Sequence, residues 1–184
     1  ASKKAKSNPK ISASAKRGVE ITADGDLVDF VLPYGSREVD RVRSKFPEAF
    51  NRINQKVNIH LADYVTVNGR NVNGVANYAD GKIKVAVLGR SVAEHKLSIG
   101  SHHVTEGSVQ SVLRHELGHV VNISGMSPSE QQEWSNIYSS LGGDVERKLS
   151  KRASVNAREG YAEAFCAWTH PSMIPGLLPD SVEK

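Results

Sequence analysis

Two histidines and a glutamate lie together in the segment His115-Glu116-Leu117-Gly118-His119. On a helix, residues four apart share one face about one turn apart, so both imidazoles can bind one metal ion. Glu116 lies about 100° further round the helix, where its carboxylate can take a proton from a water molecule at the metal. The spacing matches the zinc-protease signature His-Glu-x-x-His. It predicts a zinc site, and the alternative is a surface helix with two incidental histidines.

A zinc ion bound by two histidines needs a third protein ligand if the fourth position is to remain open for water. Asn122 and Gly125 stand where the long metzincin signature has glycine and histidine, which excludes that class. A second predicted helix, over 156–169, carries Glu159 and Glu163 four residues apart on one face. One carboxylate can ligate the metal while the other accepts a hydrogen bond from a ligating histidine. The alternative is a helix with two exposed glutamates.

The His115–His119 motif, a long helical spacer and the run Glu159-Gly-Tyr-Ala-Glu163-Ala-Phe165 resemble the catalytic core of the anthrax lethal factor family. The clostridial Pro-Pro endopeptidases are similar, and related domains occur in bacterial toxins and phage head-associated proteins. The resemblance covers about residues 75–170. It implies a glutamate-zincin endopeptidase that binds Zn²⁺ and hydrolyses peptide bonds of a protein substrate.

Residue roles follow from the resemblance by position. It implies that His115, His119 and Glu159 are the zinc ligands, that Glu116 is the general base and that Glu163 is the partner of a ligating histidine. It also implies that the substrate binds as an extended strand against an edge strand at Lys82–Leu88.

The sequence departs from the family at one catalytic position. The family places a tyrosine shortly before the ligating glutamate, where it donates to the tetrahedral oxyanion, and here Arg152 stands at that position. A guanidinium can also stabilise an oxyanion, so Arg152 is the candidate donor. Tyr161 lies about 200° round the helix from Glu159 and is expected to face away from the metal.

Alternating and helical patterns predict the elements that position these residues. Strands are expected over 19–21, 27–32, 57–61 and 65–67, with a hairpin of 75–78 and 82–88. Residues 33–35 are expected to end the second strand, and Ser36 to cap the helix that follows. Further helices are expected to begin at Pro47 and Ser127, and the metal-binding helix to cover 106–123.

These elements predict an α+β, zincin-like domain with a small mixed sheet and a His-Glu-x-x-His helix. The 184 residues fit one domain over 18–184, preceded by a disordered tail over 1–17. No run approaches the length of a membrane helix, and the first residues lack the apolar core of a signal peptide. We therefore expect no membrane partner. The only cysteine, Cys166, excludes an internal disulfide and is expected to be buried.

The net charge of +4 belongs to the tail. Residues 1–17 hold six basic residues and no acid, while the remainder carries 18 basic against 20 acidic residues. Such a tail can contact an acidic partner. Among the other histidines, His60 is expected on the exposed side of a strand. His102-His103 are expected in a solvated loop, and the alternative is that they line the cleft or reach a metal.

Three functions are consistent with these features. The first is a zinc endopeptidase of a secreted or delivered toxin or effector, or of a phage virion. The second is an inactive zincin-like module that serves as a virion structural or protein-interaction domain. The third is a regulator-cleaving His-Glu-x-x-His peptidase of phage and mobile elements, although those proteins have a shorter spacer between the motifs.

Overall fold

Three of the four strands in the main sheet of the described residues are parallel. A computed structural model describes residues 18–25, 27–79, 82–88, 97, 99–100 and 108–184. In this part of the chain β1 (Val19–Ala23), β2 (Lys56–Ala62) and β6 (Lys82–Leu88) are parallel. The strand β5 (Gly74–Ala79) runs antiparallel to β6, and the sheet order is β1-β2-β6-β5. The small mixed sheet expected from the sequence is therefore confirmed.

The free edge of this sheet differs from the expectation. The strand β6 lies between β2 and β5, so the substrate edge expected at Lys82–Leu88 is wrong. The outer strand on that side is β5, which pairs with β6 as the expected hairpin. Strand order depends on pairing between distant residues, which the alternation within a single strand does not encode.

Helices cover the face of the sheet from which Val57, Ile59 and Leu61 project. The helices α1 (Leu27–Phe30), α2 (Leu32–Lys45) and α3 (Pro47–Arg52) lie between β1 and β2, and α4 (Val109–Val120) follows β6. Both α2 and α4 pack on the sheet and on each other. The core joins buried residues of all these layers: Val19, Ile21, Val39, Val42, Ile83, Val85, Leu113 and Leu117.

The strand expected over 27–32 is wrong, since the chain is helical there. The helix α2 begins at Leu32, so Pro33 lies in its first turn, where a missing N–H costs nothing, and Ser36 is not its cap. A Cβ on Gly35 would lie 2.9 Å from Cδ1 of Leu61, so glycine lets α2 lie close to β2. Short apolar runs such as 27–32 do not distinguish a buried strand from a helix.

The second half of the described chain is helical. A π-helical turn, Val121–Gly125, extends α4, and α5 (Pro128–Leu141) begins at a capping box of Ser127 and Glu130, as expected. Two short helical turns, Gly142–Asp144 and Ala153–Val155, flank α6 (Val145–Lys148). The last helices are α7 (Ala157–Trp168) and α8 (Asp180–Glu183). These helices form a second core around Trp134, Leu141, Leu149 and Ala167.

Several other predictions are settled by the described residues. The strand at 65–67 is shortened to β3 (Thr66–Val67), which pairs with β4 (Arg70–Asn71) through a turn at Asn68-Gly69. Within the described ranges, no helix has both the length and the apolar character needed to cross a membrane. The tail over 1–17 and His102-His103 lie outside the described residues.

Candidate metal centre

The helix α4 presents both histidines of the motif on one face. Ser108 caps this helix by accepting a hydrogen bond from the backbone N–H of Ser111. The imidazole rings of His115 and His119 pack edge to face with centroids 4.8 Å apart. His115 is 3 % exposed and His119 is half-buried, so one side of the pair opens toward solvent. A metal ion bound by both imidazoles would therefore be accessible to solvent.

The helix α7 brings Glu159 to the same place. Asn156 caps α7 by accepting hydrogen bonds from the backbone N–H groups of Arg158 and Glu159. Oε2 of Glu159 lies 3.2 Å from Nε2 of His115, and its Oε1 lies 3.6 Å from Nε2 of His119. One ligand atom from each of the three residues lies within 4.8 Å of the other two. The structure thus groups the three ligands expected from the sequence.

A single glycine permits this close approach of α4 and α7. A Cβ on Gly118 would lie 2.8 Å from Cα of Ala162 and 3.2 Å from Cβ of Phe165. Real side chains do not make contacts this short, so any larger residue at this position would push α7 away. The distance between Glu159 and the two histidines therefore depends on the absence of a side chain at Gly118.

The donor atoms fit a zinc ion. Nδ1 of His115 donates a hydrogen bond of 2.7 Å to Oε1 of Glu163, which leaves Nε2 directed at the cluster. Nε2 is buried and has no hydrogen-bond partner among the described residues, although Glu159 lies close to it. A cation between Nε2 and the carboxylate would satisfy both groups. Two imidazole nitrogens and one carboxylate are the ligand set of many catalytic zinc sites.

A buried serine supports the glutamate that orients His115. Glu163 is 1 % exposed, and its Oε2 accepts a hydrogen bond of 2.8 Å from Oγ of Ser150. Oγ of Ser150 in turn accepts from the backbone N–H of Ala153 at 3.0 Å. Sequence analysis did not identify Ser150, because a serine before a short helical turn carries no signal of a contact with a residue of α7. These hydrogen bonds, which run from Ala153 through Ser150 and Glu163 to His115, fix the orientation of the imidazole.

Glu116 lies beside the cluster, under the outer strand of the sheet. It is 4 % exposed, and a Cβ on Gly74 of β5 would lie 2.7 Å from its Oε1. Burial raises the pKa of Glu116 to about 7, with the charges of His115 and Arg152 lowering it and that of Glu159 raising it. A carboxylate with a pKa near neutrality can both accept and return a proton.

Arg152 contacts the cluster through Glu159. Its Nε donates a hydrogen bond of 2.9 Å to Oε2 of Glu159. Burial raises the pKa of this glutamate, but His115 and Arg152 together hold it at about 2. Glu159 is therefore a carboxylate at neutral pH, as a metal ligand must be. The role of Arg152 as an oxyanion donor stays a prediction.

The two histidines differ in their electrostatic surroundings. Burial lowers the pKa of His115, but the carboxylates of Glu159 and Glu163 more than offset this and raise it to about 9. Burial and the charge of His115 lower the pKa of His119 to about 4. His119 is therefore neutral at physiological pH, whereas a proton competes with a metal ion for Nε2 of His115.

Three other residues noted in the sequence lie away from the cluster. Tyr161 packs against Trp134 with ring centroids 5.3 Å apart, so the expectation that it faces away is confirmed. Cys166 is buried, as expected, and its Sγ donates to the backbone oxygen of Ser111. His60 is half-buried and contacts Thr22 and Asp24.

Comparison of the chain with known families and with curated proteins gave no match in either case.

Proposed function

We propose that this protein is a zinc-dependent endopeptidase with a zincin-like domain. The observation that carries the proposal is the grouping of His115, His119 and Glu159, in which the buried Nε2 of His115 faces the Glu159 carboxylate at 3.2 Å. Glu163 on the opposite ring nitrogen and Glu116 beside the cluster complete the arrangement expected of such an enzyme. A toxin, an effector or a phage head is the setting that the resemblance suggests.

In the proposed peptide hydrolysis, the metal and the side chains would have different roles. A zinc ion held by the three ligands would polarise the scissile carbonyl and lower the pKa of water. Glu116 accepts the proton of the attacking water and returns it to the leaving amine, which its pKa of about 7 favours. Arg152 is the candidate to stabilise the negative charge that develops on the carbonyl oxygen, since its guanidinium lies at the cluster, 2.9 Å from Oε2 of Glu159.

The outer edge of β5 is the proposed docking place for the peptide. Among the described strands, β5 ends the sheet on the side of α4, and Gly74 brings its backbone against Glu116. An extended peptide that added to this edge would satisfy the outward N–H and C=O groups of β5. Its scissile bond would then lie beside the general base.

The competing proposal is a zincin-like module that binds partners without cleaving them. It is favoured by Arg152, which stands where the family that the sequence resembles has a tyrosine. The Nε of Arg152 already donates a hydrogen bond to Glu159. Loss of one oxyanion donor costs roughly 10²–10³-fold in rate. If the protein does not cleave peptides, the domain is a virion component or an interaction module, and the basic tail contacts an acidic partner.

A paired assay of the zinc-loaded wild-type protein and Glu116→Gln separates the two proposals. The wild-type protein is expected to cleave members of a random peptide library, detected by mass spectrometry. Removal of the base should lower cleavage by roughly 10²–10⁴-fold and leave the zinc content unchanged. Undiminished cleavage by Glu116→Gln would disprove the assigned base. A wild-type protein that holds zinc and cleaves nothing would support the binding module.

A further inference from the structure

A cavity of about 540 Å³ lies on the side of α7 that faces away from the metal centre. Tyr161, Phe165 and Trp168 follow one another at helical spacing along α7 and line this cavity. Glu159, the metal ligand on the same helix, lies about 200° round the helix from Tyr161. The other walls come from α3, α5 and α8. The volume is in the range of cavities that hold small molecules.

Aromatic rings form the apolar walls of this cavity. Five of them line it: Phe46, Trp134, Tyr161, Phe165 and Trp168. The ring centroids of Trp134 and Tyr161 are 5.3 Å apart, and those of Phe46 and Phe165 are 5.1 Å apart. Tyr161 joins the two pairs, since its ring centroid is 6.1 Å from that of Phe165. These contacts hold the rings in place, so the walls suit the apolar body of a ligand.

Two basic residues that line the cavity are already engaged. Nη2 of Arg52 on α3 lies 2.9 Å from Oε1 of Glu130 on α5, so this ion pair joins the two helices. Nζ of Lys45 donates a hydrogen bond of 2.8 Å to the backbone oxygen of Trp168. The same ammonium lies 5.0 Å from the centroid of the Trp168 ring. One aromatic wall therefore already makes a favourable contact with an ammonium group.

Two carboxylates that line the cavity are free. Glu48 lies one helical turn before Arg52 on α3, and Glu133 lies one turn after Glu130 on α5. Both side chains are exposed, and neither has a hydrogen-bond or ion-pair partner among the residues that the structure describes. Lys184 is the one lining cation in that part of the chain whose side chain has no partner. The unpaired charge at the cavity is therefore acidic on balance.

We propose that this cavity binds a small apolar molecule that carries one ammonium group. The apolar body packs between the aromatic rings, and the ammonium group lies beside Glu48 and Glu133. An anionic ligand would be repelled by both carboxylates, and a neutral one would gain nothing from them. The inference does not depend on the proposed function, because it uses none of the metal ligands.

Three probes with the same apolar body and different end groups test this preference: phenylbutylammonium, phenylbutanol and phenylbutanoate. Both tryptophans of the chain, Trp134 and Trp168, line the cavity, so their fluorescence reports on binding there. Titration of the whole chain is expected to give a saturable change with the ammonium probe. Its affinity should be roughly threefold higher than that of the alcohol, as for partly exposed ion pairs, and the carboxylate should bind most weakly.

Two variants separate the charge of the cavity from its shape. The double variant Glu48→Gln, Glu133→Gln removes both charges and keeps the size of the side chains. It should bind the ammonium and the alcohol equally and keep the wild-type affinity for the alcohol. Ala49→Phe places a large side chain on the α3 wall and should weaken binding of all three probes.

The control is the double variant Asp29→Asn, Glu146→Gln, which removes the same charge from exposed positions on α1 and α6. It should keep the wild-type preference for the ammonium. Equal affinity of the wild-type protein for the ammonium and the alcohol would overturn the proposal, as would a preference that survives in Glu48→Gln, Glu133→Gln. Absence of a saturable change with all three probes would also overturn it. A dimer in analytical ultracentrifugation would then assign the cavity to contact with a second copy of the chain.

Discussion

His115 has a carboxylate at each ring nitrogen, and the two carboxylates have different surroundings. Glu163 is fully buried and fixed by Ser150, whereas Glu159 is partly exposed and held by Arg152. The buried carboxylate at Nδ1 fixes the ring orientation, and the accessible one at Nε2 faces the second histidine. Spacing alone left open which glutamate ligates, and this asymmetry favours Glu159.

Loss of the Ser150 hydroxyl should weaken metal binding without removing a ligand. In Ser150→Ala, Oε2 of Glu163 loses its donor, so the carboxylate no longer holds the imidazole of His115 as firmly. Removing a supporting contact of this kind costs roughly 10–100-fold in metal affinity. Competition with a chromophoric chelator measures the zinc Kd directly.

A nearby serine provides the control for that measurement. Ser154 is exposed, and its hydroxyl donates to the backbone oxygen of Lys151, away from the cluster. Ser154→Ala should keep the wild-type Kd. Equal zinc affinities of Ser150→Ala and the wild-type protein would show that the hydrogen bond to Glu163 does not support the site.

Elements with a strong local signal could be predicted from the sequence. The helix α4 follows from its apolar periodicity, and α5 from the capping box at Ser127 and Glu130. The pairing of α4 with α7 was expected only because the two motifs suggested one metal site. The substrate edge was misplaced onto β6, because the order of strands is set by contacts distant in sequence. Ser150 and Gly74 were missed for the same reason.

A side chain at Gly118 should separate α4 from α7. The Cβ of Gly118→Ala would lie 2.8 Å from Cα of Ala162, a backbone atom that moves only with α7. The helices must shift apart, which is expected to cost about 1–3 kcal/mol in the free energy of unfolding. Glu159 moves with α7, so zinc affinity should fall as well. Urea unfolding and the zinc Kd measure the two effects.

Gly143 offers a comparison for this substitution. A Cβ at that position would meet no atom within 4 Å, and its backbone is not in the left-handed region. Gly143→Ala should therefore preserve both stability and zinc affinity. If Gly118→Ala also bound zinc as tightly as the wild-type protein, close contact of the helices would not be what positions Glu159.

At the scale of the molecule, a buried ion pair connects the sheet-covering helix α2 to α4. Nη1 of Arg114, beside His115, donates to Oε1 of Glu38 at 2.8 Å, and Arg41 also contacts this carboxylate. Arg41 reaches further to the backbone oxygen of Thr169, at the end of α7. The Glu38 carboxylate therefore links α2 to α4, and Arg41 links the same part of α2 to the end of α7.

This carboxylate should make stability depend on pH. Burial raises the pKa of Glu38, but hydrogen bonds from Arg41 and Arg114 hold it below the ordinary value of 4.5. The contribution of Glu38 to stability is then fully present above pH 4.5 and is lost as the pH falls through its lower, folded-state pKa. Glu38→Gln should lose on the order of 3 kcal/mol at neutral pH, because it leaves Arg114 beside an uncharged partner.

Urea unfolding of the wild-type protein and Glu38→Gln at neutral and acidic pH measures this dependence. The difference in unfolding free energy between wild type and Glu38→Gln should shrink below pH 4.5. A difference that stayed constant or grew in acid would show that the ionised Glu38 does not stabilise the native state.

The most direct test of the metal centre is the zinc content of the purified, chelator-free protein, measured by elemental mass spectrometry. About one zinc ion per chain is expected. His115→Ala and His119→Ala should lose it, whereas His60→Ala, which changes a histidine held by Thr22 and Asp24, should retain it. A well-folded protein without zinc, or one whose zinc survives both substitutions, would contradict the assignment of His115, His119 and Glu159 as a metal site.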